Sequence, residues 1–138
     1  MAKPFLKPGK IVVMLNGRYA GHKAVIVKSM DGTKGARKYG HCIVAGIDRA
    51  PKRILKCMTK RQIMRRSTIK PFVKVVNWNH MMPTRYTFDL DRLPKILDAD
   101  KLDAGKRVGG QVKKKVQNVF QTRFRAGKNK WFFSKLRF

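Results

Sequence analysis

Acid–base, metal or nucleophilic chemistry would have to come from three histidines (His22, His41 and His80), seven aspartates and two cysteines in this 138-residue chain. His22, His41 or His80 beside Asp48 or Asp89 would supply a general acid and base. Each histidine nevertheless sits in a stretch with another use. His22 lies in a glycine-containing turn, His41 opens an apolar run, and His80 belongs to the polar run NWNHMMPTRY, where Asn77, Asn79 and Arg85 read as hydrogen-bonding partners for backbone or RNA. Cys42 and Cys57 form no CxxC pair, and disulfides are rare in reducing compartments, so both read as plain thiols. No catalytic residue, metal or cofactor is assigned.

The other chemistry open to these residues is recognition of a polyanion. Lys and Arg number 34 against seven acidic residues, all of them Asp, a formal charge of +27. That excess repels itself in a compact monomer, and a bound phosphate chain cancels it while counterion release supplies affinity. Nucleic acid is the leading partner. The last twelve residues, GKNKWFFSKLRF, interleave Lys128, Lys130, Lys135 and Arg137 with Trp131, Phe132, Phe133 and Phe138, with Asn129 between the first two lysines. Cations meet phosphate, and a ring that stacks on a base is worth about 1–3 kcal/mol. Two readings of Trp131 stand: it stacks on RNA, or Trp131, Phe132 and Phe133 fold back on the preceding helix.

These residues need elements to hold them. With 43% hydrophobic residues the chain has enough apolar surface for a small core. KIVVML (10–15) and KAVIVK (23–28) read as buried strands, joined by NGRYAGH, where Asn16-Gly17 is a hairpin signal and Gly21 a second turning point. Further strands are expected at 41–48, 70–78 and around 84–90, about five in all, enough for a small barrel. Between them, DGTKGARKYGH (31–41) and RAPKRILKCMTKRQIMRRS (49–67) are basic loops. Thr59 and Gln62 have capping-box spacing, which predicts a short helix through Arg66 displaying Lys60, Arg61, Arg65 and Arg66, with Ile63 and Met64 holding it to the barrel.

Five of the seven aspartates fall between Asp89 and Asp103, a stretch with Pro94 and little periodicity, expected to be a linker that pairs with nearby Arg. Beyond it, Val108, Val112, Val116, Val119, Phe120 and Phe124 make a helical stripe flanked by Lys113, Lys114 and Lys115. Gly109 and Gly110 place the firm start near Gln111. Gly127 suits the stop, with Arg123 and Arg125 complementing the dipole of the last turn. The expected organisation is an SH3-like barrel with basic loops over 1–90, then linker, amphipathic helix and basic-aromatic tail over 91–138. No run approaches the roughly 20 apolar residues of a membrane span, and the start, MAKPFLKPGK, lacks a secretory signal, so an intracellular protein is expected.

KPGKIVVMLNGRYAGHKAVIVK resembles a KOW motif, a segment of small SH3-like barrels in ribosomal and transcription-elongation proteins. Its glycines would bring backbone amides close to a sugar-phosphate chain, with Lys7, Lys10, Arg18, Tyr19, His22 and Lys23 around it. Together with HCIVAGIDRAPK (41–52), VNWNHMMPTRYTFDLD (76–91) and GKNKWFFSKLRF, the chain resembles the eukaryote-type large-subunit ribosomal protein family numbered twenty-seven, which is unrelated to the bacterial protein of that number.

That resemblance implies a mainly β fold, an SH3-like barrel with a basic helical carboxyl extension. It also implies no catalysis, and a place among large-subunit ribosomal RNA and neighbouring ribosomal proteins. From Asp98 to Val112 the chain departs from the family pattern, being Gly-containing and partly acidic where such proteins carry a strongly charged helix. No membrane, small-molecule substrate or homo-oligomer is expected, and localisation is cytoplasmic, on ribosomes, with nucleolar passage during assembly. The expected RNA contacts are the residues named above in the turn, the short helix, NWNHMMPTRY, the long helix and the tail. The alternative is a KOW module acting on RNA or chromatin in transcription elongation. A free cationic membrane-active protein would predict a signal peptide or a disulfide framework, and neither is present. Off its partner, the carboxyl arm is expected to be mobile.

Overall fold

The computed structural model describes residues 5–33 and 37–137; residues 1–4, the centre of the 31–41 loop and Phe138 lie outside them. The strands are β1 (Lys10–Met14), β2 (Lys23–Met30), β3 (His41–Arg49), β4 (Lys70–Asn77) and β5 (Met81–Thr87). The helices are α1 (Lys60–Ser67), α2 (Leu93–Ile96), α3 (Ala99–Asp103), α4 (Gly110–Arg125) and α5 (Lys130–Phe133), with a 3₁₀ turn at Trp78–His80.

The strands form one antiparallel sheet in the order β4-β3-β2-β1-β5. Only the three-residue 3₁₀ turn joins β4 to β5, yet these strands stand at opposite edges. In a flat sheet the edges would be about 19 Å apart, four spacings of about 4.8 Å, whereas three 3₁₀ residues rise only about 6 Å. The sheet must therefore curl on itself, and register shifts at Lys10/Val12, Ile26/Lys28 and Ile47/Arg49 help it bend. No ladder closes β4 onto β5, so where a closed barrel was expected the sheet is curled and open.

Curling buries both faces of the central strands, which explains why β2 and β3 read as unbroken apolar runs rather than alternating ones. Val12, Met14, Ala24, Ile26, Cys42, Val44, Phe72 and Val76 fill the concave side with Leu6 and Met81. Ile11, Val25, Val27, Ala45 and Ile47 face the other way, onto Phe88, Leu93, Leu97, Val116, Phe120, Phe132 and Phe133. Gly46 is required on the inner face: a Cβ there would come 2.4 Å from the Phe72 ring and 2.8 Å from the Lys23 carbonyl oxygen.

The segment expected to be a linker is part of this second layer. Leu93 and Leu97, four residues apart on the α2 turn, are buried, and Asp98 caps α3 by accepting from the Lys101 amide. The segment forms two short helices, and its acids make the local ion pairs expected of them. α4 begins at Gly110, one residue before the expected start, and buries Val116 and Phe120 while Val112, Val119 and Phe124 pack at the margin. It ends in a Schellman motif: Gly127, at φ 72°, donates to the Phe124 carbonyl and Lys128 to that of Arg123.

α1 forms as expected, with Thr59 Oγ1 accepting from the Gln62 amide and Gln62 Oε1 from the Thr59 amide. Its expected seat does not form, because Met64 is 71% exposed and the helix buries no residue. It stands off the sheet at the end of an excursion closed at its base, where the Lys52 amide donates to the Arg66 carbonyl and Arg66 Nη1 to that of Arg53.

Candidate nucleic-acid interface

The carboxylates decide which cations face outward. Asp48 pairs with Lys70, Asp98 with Lys101, Asp100 with Lys28, and Asp103 with His41 and Arg37, while Asp89 and Asp91 both pair with Arg123. Asp31 accepts from the Thr33 hydroxyl and amide, which hold its carboxyl below the usual range. Every acid thus has an internal partner, and seven carboxylates leave most of the 34 cations without a counter-charge.

The expected contact residues separate into two groups. Lys7, Arg18, Lys60, Arg61, Arg65, Arg66, Asn79, His80, Arg85, Lys113, Lys114, Lys128, Lys130 and Arg137 are exposed, and Lys10 is half-buried. The Leu15 amide donates to the His80 carbonyl, so the β1–β2 turn carrying Arg18 lies beside the 3₁₀ turn carrying Asn79 and His80. Tyr19 stacks on Phe72 at 4.0 Å with its plane within 3°, and His22 meets both rings edge-on, so each is half committed to the protein.

Lys23 and Arg123 are buried, and Asn129 and Trp131 half-buried, in contacts with the protein itself. Lys23, 5% exposed, donates from Nζ to the carbonyls of Trp131 (2.5 Å) and Ser134 (2.9 Å) and to Ser134 Oγ (3.1 Å). Burial pushes its pKa below the usual lysine value. The same ammonium lies 4.0 Å from the Trp131 ring centroid, and Tyr86 stacks on that ring at 4.4 Å. Trp131 is half-buried among these contacts and packs at the margin of the core. The stack ends outward, where the exposed Arg85 guanidinium lies 5.1 Å from the Tyr86 ring centroid.

Arg123 lies over Phe88. Burial works against its charge, but hydrogen bonds to Asp91 and Asp89 prevail and raise its pKa above the ordinary value. Asn129 adopts φ 55° and donates from Nδ2 to the Thr87 carbonyl. The tail packs on the core in this structure, with Phe132 and Phe133 buried. The amides of Gly9, Gly17 and Gly21 donate to Ile26 O, Asn16 Oδ1 and Met14 O within the protein.

Lys23→Met keeps the length of the stem and removes all three donors to the tail. Hydrogen exchange at Trp131–Ser134 is expected to quicken by at least tenfold, the factor that about 1.4 kcal/mol produces, with the β1–β2 amides unchanged. Unchanged exchange in the tail would mean that the phenylalanines alone hold it.

Sequence reasoning named Lys135 only as a tail cation and passed over Arg49, Lys52 and Arg53, which gather with it where β3 leaves the sheet. No local pattern joins residues about 80 apart. It also read His41 as a strand opener only, whereas the ring is fully buried with Nε2 2.7 Å from Asp103 Oδ1 and Nδ1 2.8 Å from the Tyr39 carbonyl. Among the described residues no group of His, Cys and Asp has the arrangement of a metal site, and no helix is long and apolar enough to cross a membrane.

Comparison with known sequences settles the family. Residues 11–138 match the Ribosomal L27e protein family. The chain belongs to that family. It is also 44% identical over 146 residues, spanning all of both chains, to the protein of Dictyostelium discoideum named large ribosomal subunit protein eL27. Proteins of the L27e family are structural components of the ribosome and not enzymes, which fits a surface organised around unpaired cations rather than around an acid–base pair.

Proposed function

We propose that this chain is a structural constituent of the large ribosomal subunit, where it binds and stabilises ribosomal RNA beside neighbouring ribosomal proteins and catalyses nothing. The observation that carries the reading is the committed state of every carboxylate. With Asp31, Asp48, Asp89, Asp91, Asp98, Asp100 and Asp103 engaged internally, the exposed cations of the β1–β2 turn, α1, α4 and the tail call for an external polyanion. Recognition runs through Lys and Arg to phosphates and through the shape of one fixed, folded RNA, without base-sequence readout. The residues proposed to make these contacts are the exposed ones: Lys7, Arg18, Asn79, His80, Arg85, the α1 cations, Lys113, Lys114, Lys128, Lys130 and Arg137.

The curled five-stranded sheet, with a 3₁₀ turn before its last strand, supports an SH3-like reading of residues 1–90, with 91–138 as its carboxyl extension. The glycine-containing β1–β2 turn supports the KOW reading. A protein with this role works on cytoplasmic ribosomes and passes through the nucleolus during assembly.

The test is sedimentation of a tagged copy from cell extract at moderate and high salt, with and without ribonuclease. Stoichiometric migration with large subunits that survives high salt and collapses on RNA digestion is the expected result. Salt-labile migration, with the tag on chromatin, would replace this reading with the transcription-elongation module. In the same assay, reversing the charge of Lys128 and Lys130 is expected to lower the salt concentration at which the chain leaves the subunit.

A further inference from the structure

A groove of about 700 Å³ lies between the β1–β2 turn, the chain leaving β3, and the tail. Its volume is within the range of about 300–1,000 Å³ usual for small-ligand sites. The apolar part is supplied by Ile47, Pro51, Phe132 and Leu136, and the cations by Arg49, Lys52, Arg53 and Lys135. Asp48 is the lone carboxylate of its lining and is paired with Lys70 at 3.5 Å.

Its walls are held in place. The Lys52 amide and the Arg53 carbonyl are tied to Arg66 at the base of the α1 excursion. The tail wall is fixed by Lys23 on Ser134 and by burial of Phe132.

A duplex presents a convex, continuous phosphate surface and would leave the apolar part of such a concavity uncovered. A single unpaired nucleotide matches both parts, its base against the apolar side chains and its flanking phosphates on the cations. RNA-binding proteins take splayed-out bases in this way. We propose that the groove receives one unpaired nucleotide of the RNA on which this chain is assembled. This rests on the ribosomal-RNA reading above. The ligand is part of a polymer, because the cations come from two segments of the lining, Arg49 and Lys52–Arg53 from the chain leaving β3 and Lys135 from the tail, enough for the phosphates before and after the base.

Arg53 and Lys135 are exposed, so Arg53→Glu/Lys135→Glu is expected to fold. Large subunits from cells carrying only the wild-type or the variant chain are probed with dimethyl sulfate for base edges and with an acylating reagent for 2′-hydroxyls. The expected result is one or two unpaired nucleotides, shielded in wild-type subunits, whose modification rises by about tenfold in the variant, the factor that about 1.4 kcal/mol of lost contact produces, while the chain stays stoichiometric. Unchanged reactivity with the chain retained would overturn the proposal.

Should the variant chain leave the subunit, the decision passes to a wild-type chain carrying the photo-crosslinking residue benzoylphenylalanine in place of Lys52. A crosslink to RNA at an unpaired nucleotide supports the groove reading, and a ribonuclease-resistant crosslink to protein alone replaces the nucleotide with a peptide. Failure of the ribosomal-RNA reading looks different, because the wild-type chain would then be missing from the subunits before any probing.

Discussion

Phe120→Ala is expected to unfold or nearly unfold the free protein and to release its tail. Phe120 is fully buried and meets three rings: Phe88 at 5.9 Å, Phe132 at 5.6 Å and Phe133 at 6.3 Å between centroids. It joins Phe88, after the last strand, to Phe132 and Phe133 of the tail. Truncating a buried Phe to Ala costs about 3–5 kcal/mol in lost transfer energy and cavity, against about 5–15 kcal/mol for a whole domain. A midpoint drop on the order of 10–20 °C follows for a chain of this size, measured by thermal circular dichroism. Phe120→Leu, which fills most of the volume, is expected to retain the greater part of the stability. A Phe120→Ala protein that melts within about 3 °C of wild type would show that helix and tail are not part of the cooperative core.

That core was only half legible in the sequence. β1 to β4 could be read because short β-branched runs bounded by turn residues fit a strand better than a helix. β5 begins three residues before the expected start because Pro83 reads as a strand breaker. As an edge strand it tolerates that proline, which pairs with Val12.

The 91–103 segment was misread for a different reason. Taken alone, its acids gave no sign of which cations they meet; most stay exposed beside a cation at the surface, and only Asp103 is buried. Leu93 and Leu97, one helical turn apart, were the available signal. Among the candidate contact residues, exposure on α1 and α4 followed from helical spacing. The inward turn of Lys23, Arg123 and Asn129 did not, because their partners lie 108, 34 and 42 positions away. Trp131 left two readings open, and in the structure Lys23 and Tyr86 stand against its ring.

His41 and Asp103, 62 positions apart, gave no sequence signal either, and their separation yields the second large effect. Asp103 sits on α3, its carboxylate 2.7 Å from His41 Nε2 and 3.7 Å from Arg37 Nη1, while its carbonyl accepts from Arg37 Nη1 at 2.7 Å. His41 opens β3 and is fully buried, its second nitrogen on the Tyr39 carbonyl. Asp103→Ala removes the carboxylate and leaves a buried ring nitrogen facing nothing, which costs about 3 kcal/mol. Chemical denaturation should register that loss, with hydrogen exchange quickening first in α3 and at the head of β3.

A cavity alone would have a different signature. His41→Leu/Asp103→Leu replaces both polar partners with apolar ones and is expected to recover much of the loss, because an unpaired buried polar group costs more than an absent pair. The double variant therefore separates pairing from packing. If it is less stable than the sum of the two single leucine variants predicts, His41 and Asp103 act on stability through their neighbours rather than through each other.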